Sequence, residues 1–237
     1  MSKKRLLDLF CCAGGAGMGY RRAGFDVVGV DAKPQPRYPF EFIQADALEY
    51  VEKHGREFDA IHASPPCQGY SAMSNCRPGL SENYARLVDE TRCGLTATGM
   101  PWVIENVVGA GLASSTDLFG NQGVMLCGQM FNLNLYRHRV FETSFPVIQL
   151  RHAKHLIPAS KAGHWKPGTV ISVCGNCAPI AVAREAMGIH WMLRDELSEA
   201  VPPAYTEYIG RQLIMALTPE PDARQEGGGE AGKRETQ

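Results

Sequence analysis

Short apolar runs alternate with longer segments of mixed polarity over the first two thirds of the chain. Arg5–Phe10, Asp26–Asp31, Phe40–Asp46, Phe58–Ser64, Pro101–Val107 and Val124–Cys127 are too short for helices, and their near-continuous apolar character predicts buried parallel strands. Between them, Ala16–Ala23, Ala47–His54 and Ser81–Thr98 predict helices, the last opening on Ser81 and stopping at Gly99-Met100-Pro101. Strand followed by helix, repeated, predicts a doubly wound α/β sheet. After Phe145 the rhythm lapses. Leu150–Thr169 is rich in His, Lys, Gly and Pro, so residues from 145 to about 190 predict a small irregular lobe. Ser198–Leu217 predicts a closing amphipathic helix with Pro202-Pro203 at its first turn. From Pro219 onward no apolar residue exceeds Ala, which predicts a disordered tail. The expected units are therefore a core (1–144), a lobe (145–195), a closing helix (196–217) and the tail (218–237).

Composition places these elements in an ordinary globular chain. The 237 residues are 44% hydrophobic and 21% charged, enough for one catalytic-sized domain with a small appendage. No apolar run is long enough to span a bilayer, and Lys3-Lys4-Arg5 leads at once into Leu6-Leu7-Asp8, too soon acidic for a signal peptide. A cytoplasmic monomer is expected. Eight cysteines, unevenly spaced and with Cys11 and Cys12 adjacent, read as reduced thiols rather than a disulfide framework. The net charge of -1 conceals a basic stretch: Arg137, Arg139, Arg151, Lys154, Lys161 and Lys166 face only Glu142 between Arg137 and Lys166.

The chemistry concentrates at predicted strand ends, where open α/β sheets bind ligands. Strand one runs into Phe10-Cys11-Cys12-Ala13-Gly14-Gly15-Ala16-Gly17, a turn whose bare backbone lets a ligand approach. Asp31 ends strand two, where a carboxylate accepts from ribose hydroxyls, and Asp46 ends strand three, placed to accept from an adenine amino group. Any tight strand-to-helix turn would look similar; three ligand-type features at successive strand ends favour an adenosine cofactor. Strand four ends in Pro65-Pro66-Cys67-Gln68-Gly69, a thiol behind a stiffened backbone, read as a nucleophile rather than as a small core residue. Glu105 follows four apolar residues, so partial burial would raise its pKa toward a useful acid; a helix-cap Glu is the alternative.

In that order, Asp8-Leu9-Phe10 with Gly14-Gly15, Pro66-Cys67-Gln68, Glu105-Asn106-Val107 and Arg137-x-Arg139 resemble the motif set of the DNA (cytosine-5) methyltransferases. Arg184–Ile189 and Val201-Pro202-Pro203-Ala204-Tyr205 resemble the closing motifs of short phage and bacterial members. The resemblance implies an S-adenosylmethionine-dependent methyltransferase fold with a small target-recognition lobe, and duplex DNA as partner. It implies S-adenosylmethionine against Phe10, Gly14, Gly15, Asp31, Asp46 and Pro66. Catalysis would then fall to Cys67 adding to a flipped cytosine, Glu105 holding its N3, Arg139 donating to its O2 or to a phosphate, and Arg137 in support.

The chain departs from that pattern at Cys12, where Gly is usual, at Leu135 for Gln, and at Glu199 for Asn. It also leaves little more than residues 145–183 for reading bases, so the basic stretch with Trp165 is the natural reader. His152-x-x-His155 and Cys174-x-x-Cys177 have zinc-compatible spacing. Common loop histidines and strand cysteines explain them as well, and no metal is expected. Two rival functions stay open: an RNA cytosine-5 methyltransferase, and a catalytically silent DNA-binding protein on the same fold. No RNA-specific module supports the first, and the presence of both Cys67 and Glu105 argues against the second.

Overall fold

The computed structural model describes residues 3–66, 87–112 and 122–218. Among these residues seven strands form one sheet: β1 (Arg5–Leu9), β2 (Asp26–Asp31), β3 (Glu41–Gln44), β4 (Ala60–Ala63), β5 (Trp102–Asn106), β6 (Gln122–Leu126) and β7 (Arg139–Thr143), in the order β3-β2-β1-β4-β5-β7-β6. The first five pair in parallel, and β7 runs antiparallel to both its neighbours. The helices are α1 (Gly15–Ala23), α2 (Ala47–His54), α3 (Val88–Thr98), α4 (Ile180–Met187), α5 (Arg194–Glu199) and α6 (Pro203–Leu217).

Period-two alternation along the strands sorts the core into two layers. Leu6, Val27, Ala60, Val103, Val124 and Phe141 point to one face, where Tyr20, Tyr205, Ile209 and Leu213 of α1 and α6 cover them. Leu7, Leu9, Val28, Val30, Ile61 and Ile104 point to the other, under Val51 of α2 and Leu95 of α3. The sheet is therefore doubly wound, as its strand-and-helix rhythm predicts. A third cluster joins Ile171, Val173, Ala183, Met187, Met192 and Leu197 to Ala13 of the first turn, so the second half of the lobe packs onto the ligand edge of the sheet.

Three expectations need correction. β6 does not pair in parallel with β5, because β7 inserts between them; Arg139–Thr143 escaped notice as a strand because it is short and carries two charges. The closing helix does not begin at Ser198. Ser198 belongs to α5, and the chain is extended at Ala200 and Pro202, because proline lacks an N–H and disfavours the α conformation in the residue before it. Pro203 then occupies the first turn of α6. The lobe is not irregular throughout either, since α4 lies within it. The predicted helix start at Ser81 and the tail from Pro219 lie outside the described residues.

α1 and α6 make an unusually close pair. A β-carbon on Gly19 would stand 2.0 Å from Thr206 Oγ1, 2.2 Å from the Pro203 carbonyl and 2.6 Å from the Glu207 nitrogen. Helix propensity alone would favour Gly19→Ala by about 1 kcal/mol. Overpacking against backbone should reverse that sign, giving a net loss of about 1–3 kcal/mol. Urea unfolding measures it, and a stabilised variant would contradict this packing.

Candidate active site

A cavity of about 410 Å³ lies at the carboxyl edge of the parallel strands, within the range of about 300–1,000 Å³ usual for small-molecule sites. Its floor is the turn after β1. Phe10 and Cys12 both have positive φ, +54° and +44°, and Gly14 follows at +84° before α1 begins. Cys12 thus stands in the left-handed backbone region that Gly occupies without steric penalty. Gly15 is required for a different reason: a β-carbon there would lie 2.6 Å from the Val201 carbonyl of the segment that closes the cavity. Gly14 itself sits behind the cavity, against Tyr38 and Pro39.

Asp31, at the end of β2, holds this turn from below. Its two oxygens accept from the backbone N–H of Cys12 at 3.0 Å and of Lys33 at 2.9 Å. Asp46 caps α2, one oxygen accepting from Leu48 and Glu49 backbone N–H groups at 2.9 and 3.0 Å. Both carboxylates line the cavity, as do Phe10, Gly15 and Pro66. The closing wall comes from Met192, Glu199, Ala200 and Val201, so Glu199 does reach the site.

The ends of β4, β5 and β7 bring Ser64, Glu105 and Arg139 to the same cavity. Glu105 is 5% exposed, and its Oε1 stands 2.9 Å from Arg139 Nε, an ion-pair contact without hydrogen-bond alignment. Burial raises the Glu105 carboxyl above its ordinary value, against the opposing charge of Arg139 and a hydrogen bond from Ser64. Ser64 in turn lies 2.9 Å from Nε2 of His62, whose Nδ1 lies 3.0 Å from the Tyr20 hydroxyl. Burial holds His62 down at about 3, so this chain of contacts stays neutral at physiological pH. Asn106 donates to the Pro65 carbonyl at 2.9 Å and so fixes the backbone that leads into Cys67. Cys67 itself lies outside the described residues.

Arg137 is placed differently from Arg139. It does not line the cavity; its guanidinium donates to the carbonyls of Ala200 at 3.0 Å, Ser198 at 2.7 Å and Val173. Desolvation and the like charge of Arg139 push it down to about 9, leaving it charged at neutral pH. Leu135, the other departure in this motif, is simply core. Trp165 donates its indole N–H to the Thr169 carbonyl and packs against the third cluster, an anchor of the lobe's own core. Cys174 and Cys177 do not join His152 and His155: their sulfurs contact Ser172 Oγ and the Arg194 carbonyl.

Asp8 in the cavity and His62 behind its Ser64 escaped the sequence reading of roles, although the signal was present. Asp8 and His62 are polar residues within otherwise apolar strands, Leu6-Leu7-Asp8-Leu9 and Ala60-Ile61-His62-Ala63. Asp8 lines the cavity, accepts from the Tyr38 hydroxyl at 3.0 Å and leaves Oδ1 without a partner among the described residues. Buried orphan acceptors are rare and mark places where a bound group completes the hydrogen bonding.

The fold matches proteins of known structure. A Spodoptera frugiperda DNMT2 mutant aligns with 90% of this chain and 100% of its own, at a TM-score of 0.61 and 13% identity. The fold is a methyltransferase fold. Among curated sequences, Type II methyltransferase M.AgeI of Thalassovita gelatinovora is 32% identical over 126 residues, 44% of this chain and 28% of that protein. Type II methyltransferase M.XorII of Xanthomonas oryzae pv. oryzae is 32% identical over 107 residues, 36% of this chain and 25% of that protein. The matched stretches thus span about a quarter of these relatives. No protein-family model matches the chain. Fold and local similarity together indicate an S-adenosylmethionine-binding methyltransferase domain related to the Type II methyltransferases. The residues present fit that cofactor: a glycine cradle, carboxylates at successive strand ends and the orphan Asp8 oxygen. No described helix is long and apolar enough to cross a membrane.

Burial pushes Asp8 from 3.8 up to about 8. The folded chain therefore holds this proton while the unfolded chain has lost it, so the stability present below about pH 4 drains away as pH rises to about 8. Asp8→Asn retains an acceptor for Tyr38 and removes the charge. Its melting temperature should gain on the wild type from about pH 4 to pH 8 and then level off. A gain independent of pH would show that Asp8 is ionised throughout.

Proposed function

We propose that the protein transfers a methyl group from S-adenosylmethionine to C5 of cytosine in DNA, through a covalent Cys67 adduct at C6 of a flipped base. The observation that carries this reading is the Glu105–Arg139 pair opening onto the cofactor cavity beside Pro66, the residue before Cys67. Cytosine C5 is a weak nucleophile until a thiolate adds at C6 and pushes electron density onto it. Glu105, raised by burial, holds or supplies a proton at N3, which offsets the charge that attack places on the ring. Arg139 keeps Glu105 in place and retains donors for the base O2 or a phosphate. Arg137 supports both by fixing the wall of the cavity. The cofactor, when bound, supplies the electrophilic methyl group, after which a base removes the C5 proton and Cys67 leaves.

Phe10, Gly15, Asp31, Asp46 and Pro66 contact that cofactor in this reading, Gly14 shapes their turn, and Glu199 adds a carboxylate from the closing wall. Target recognition falls to residues 145–195, with double-stranded DNA as the partner of a monomer. Of the six cations counted there and just before, Arg137 and Arg139 serve the interior, while Arg151, Lys154, Lys161 and Lys166 are exposed. Those four supply the phosphate contacts.

Two experiments test this. Wild type should form a denaturant-resistant adduct with duplex DNA carrying 5-fluorocytosine, since fluorine does not leave as a proton does. Cys67→Ser should neither turn over nor trap, while still binding S-adenosylmethionine. Trapping by the Ser variant at wild-type yield would remove Cys67 from this role, and trapping only on single-stranded RNA would favour an RNA substrate. Replacing Arg151, Lys154, Lys161 and Lys166 by Gln should weaken binding to all duplexes and flatten the log-log salt dependence by roughly 0.9 for each phosphate no longer neutralised. Binding equal to wild type at every salt concentration would place the DNA surface elsewhere.

A further inference from the structure

We propose that Cys127, His138, His152 and His155 form a structural zinc site, distinct from the cofactor cavity. One ligand atom from each of the four lies within 4.8 Å of all the others. Three of the contacts are much closer: Cys127 Sγ to His155 Nε2 at 3.3 Å, His138 Nε2 to His152 Nε2 at 3.2 Å, and His155 Nε2 to His152 Nε2 at 3.1 Å. Tetrahedral zinc, with bonds of about 2.0–2.1 Å to nitrogen and 2.3 Å to sulfur, sets ligand atoms about 3.3–3.6 Å apart. The three short contacts lie within a few tenths of an ångström of those edges, and side-chain rotations of the three histidines bring the remaining pairs, all within 4.8 Å, toward them.

Hydrogen bonding alone is a poor account of this arrangement. His152 Nε2 faces two other Nε2 atoms at once, and a single ring nitrogen carries either one proton or one lone pair. Lone pairs converging on one point are what a cation satisfies. One thiolate and three imidazoles are borderline-soft donors suited to zinc, and four protein ligands leave no open position, as in a structural rather than a catalytic site.

The backbone prepares the set. Cys127 directly follows β6 and His138 directly precedes β7, so they flank the last rung of that pair, Leu126 opposite Arg139. The segment carrying the other two ligands returns along β6, held by Gln149, whose side chain accepts from the Met125 N–H and donates to the Met125 carbonyl, both at 3.0 Å. His155 stacks on Tyr136 with ring centroids 3.5 Å apart, which fixes its plane. A bound metal would thus clip the loop 147–155 to the rung that presents Arg139. Arg139 also donates to the His138 carbonyl at 2.9 Å.

The full chain, expressed without a polyhistidine tag and dialysed, should carry about one zinc ion by elemental analysis. Cobalt exchanged for zinc should show the visible bands of tetrahedral coordination and a thiolate charge-transfer band that Cys127→Ser alone abolishes. Because Cys127 is buried and its variant can misfold, the paired substitution His152→Gln with His155→Gln provides a second test. That variant should hold less than about a tenth of the wild-type zinc, and chelation should lower the melting temperature of the wild type only. Cys174→Ser should keep the metal. A wild type without near-stoichiometric zinc, a histidine variant that retains it, or its loss from Cys174→Ser would each overturn the assignment.

Discussion

The closed form of the cofactor cavity depends on one guanidinium. Arg137 joins three separate stretches of chain: it lies just before β7, and its donors reach Val173 in the lobe and Ser198 and Ala200 beside α6. A planar fork with five fixed donors is suited to holding backbone carbonyls that converge from different directions, and a lysine ammonium would not reproduce it. The Tyr205 hydroxyl donates back to the Arg137 carbonyl at 2.9 Å, so the clasp is closed from both ends. Since Ala200 and Val201 form part of the cavity wall and Val201 presses on Gly15, the position of this arginine sets how far the closing segment stands from the glycine turn.

Buried acids of the sheet meet that constraint differently. Glu142, on β7, is held by a two-pronged pair with Arg92 at 2.6 and 2.9 Å, a geometry that leaves it a structural role. Glu105 has a cation beside it without alignment, and Asp8 is met by the phenol of Tyr38. The side-chain partners of these acids therefore thin out from Glu142 toward the cavity. Asp8 and Glu105, each with an unaligned oxygen, are the two of these acids that line it.

Much of this was legible in the sequence, and the reasons are local. Apolar runs such as Val27–Val30 and glycines such as Gly24 and Gly99 announce strands and helix ends because backbone geometry depends on the residue itself. The carboxylates Asp31, Asp46 and Glu105 were legible because strand ends place them at one edge. The role of Arg137 was not, since three carbonyls from distant segments leave no mark near Arg137-x-Arg139. Nor was the meeting of His152 and His155 with Cys127 and His138, which depends on β7 inserting between β5 and β6. Spacing suggested Cys174 and Cys177 as their partners; tertiary folding took those cysteines into a different cluster.

Gln149 also bears on how the protein coexists with copies of itself. Among the described residues β6 is an edge strand, and such edges offer unpaired N–H and C=O groups to any passing chain. By turning its amide onto Met125, Gln149 imitates a neighbouring strand with a side chain and occupies the outward N–H and C=O of that one residue. A side chain offers one amide where a strand offers a ladder, so the imitation caps one rung of the edge without extending the sheet. The loop that carries Gln149 therefore covers part of that edge as well as presenting His152 and His155.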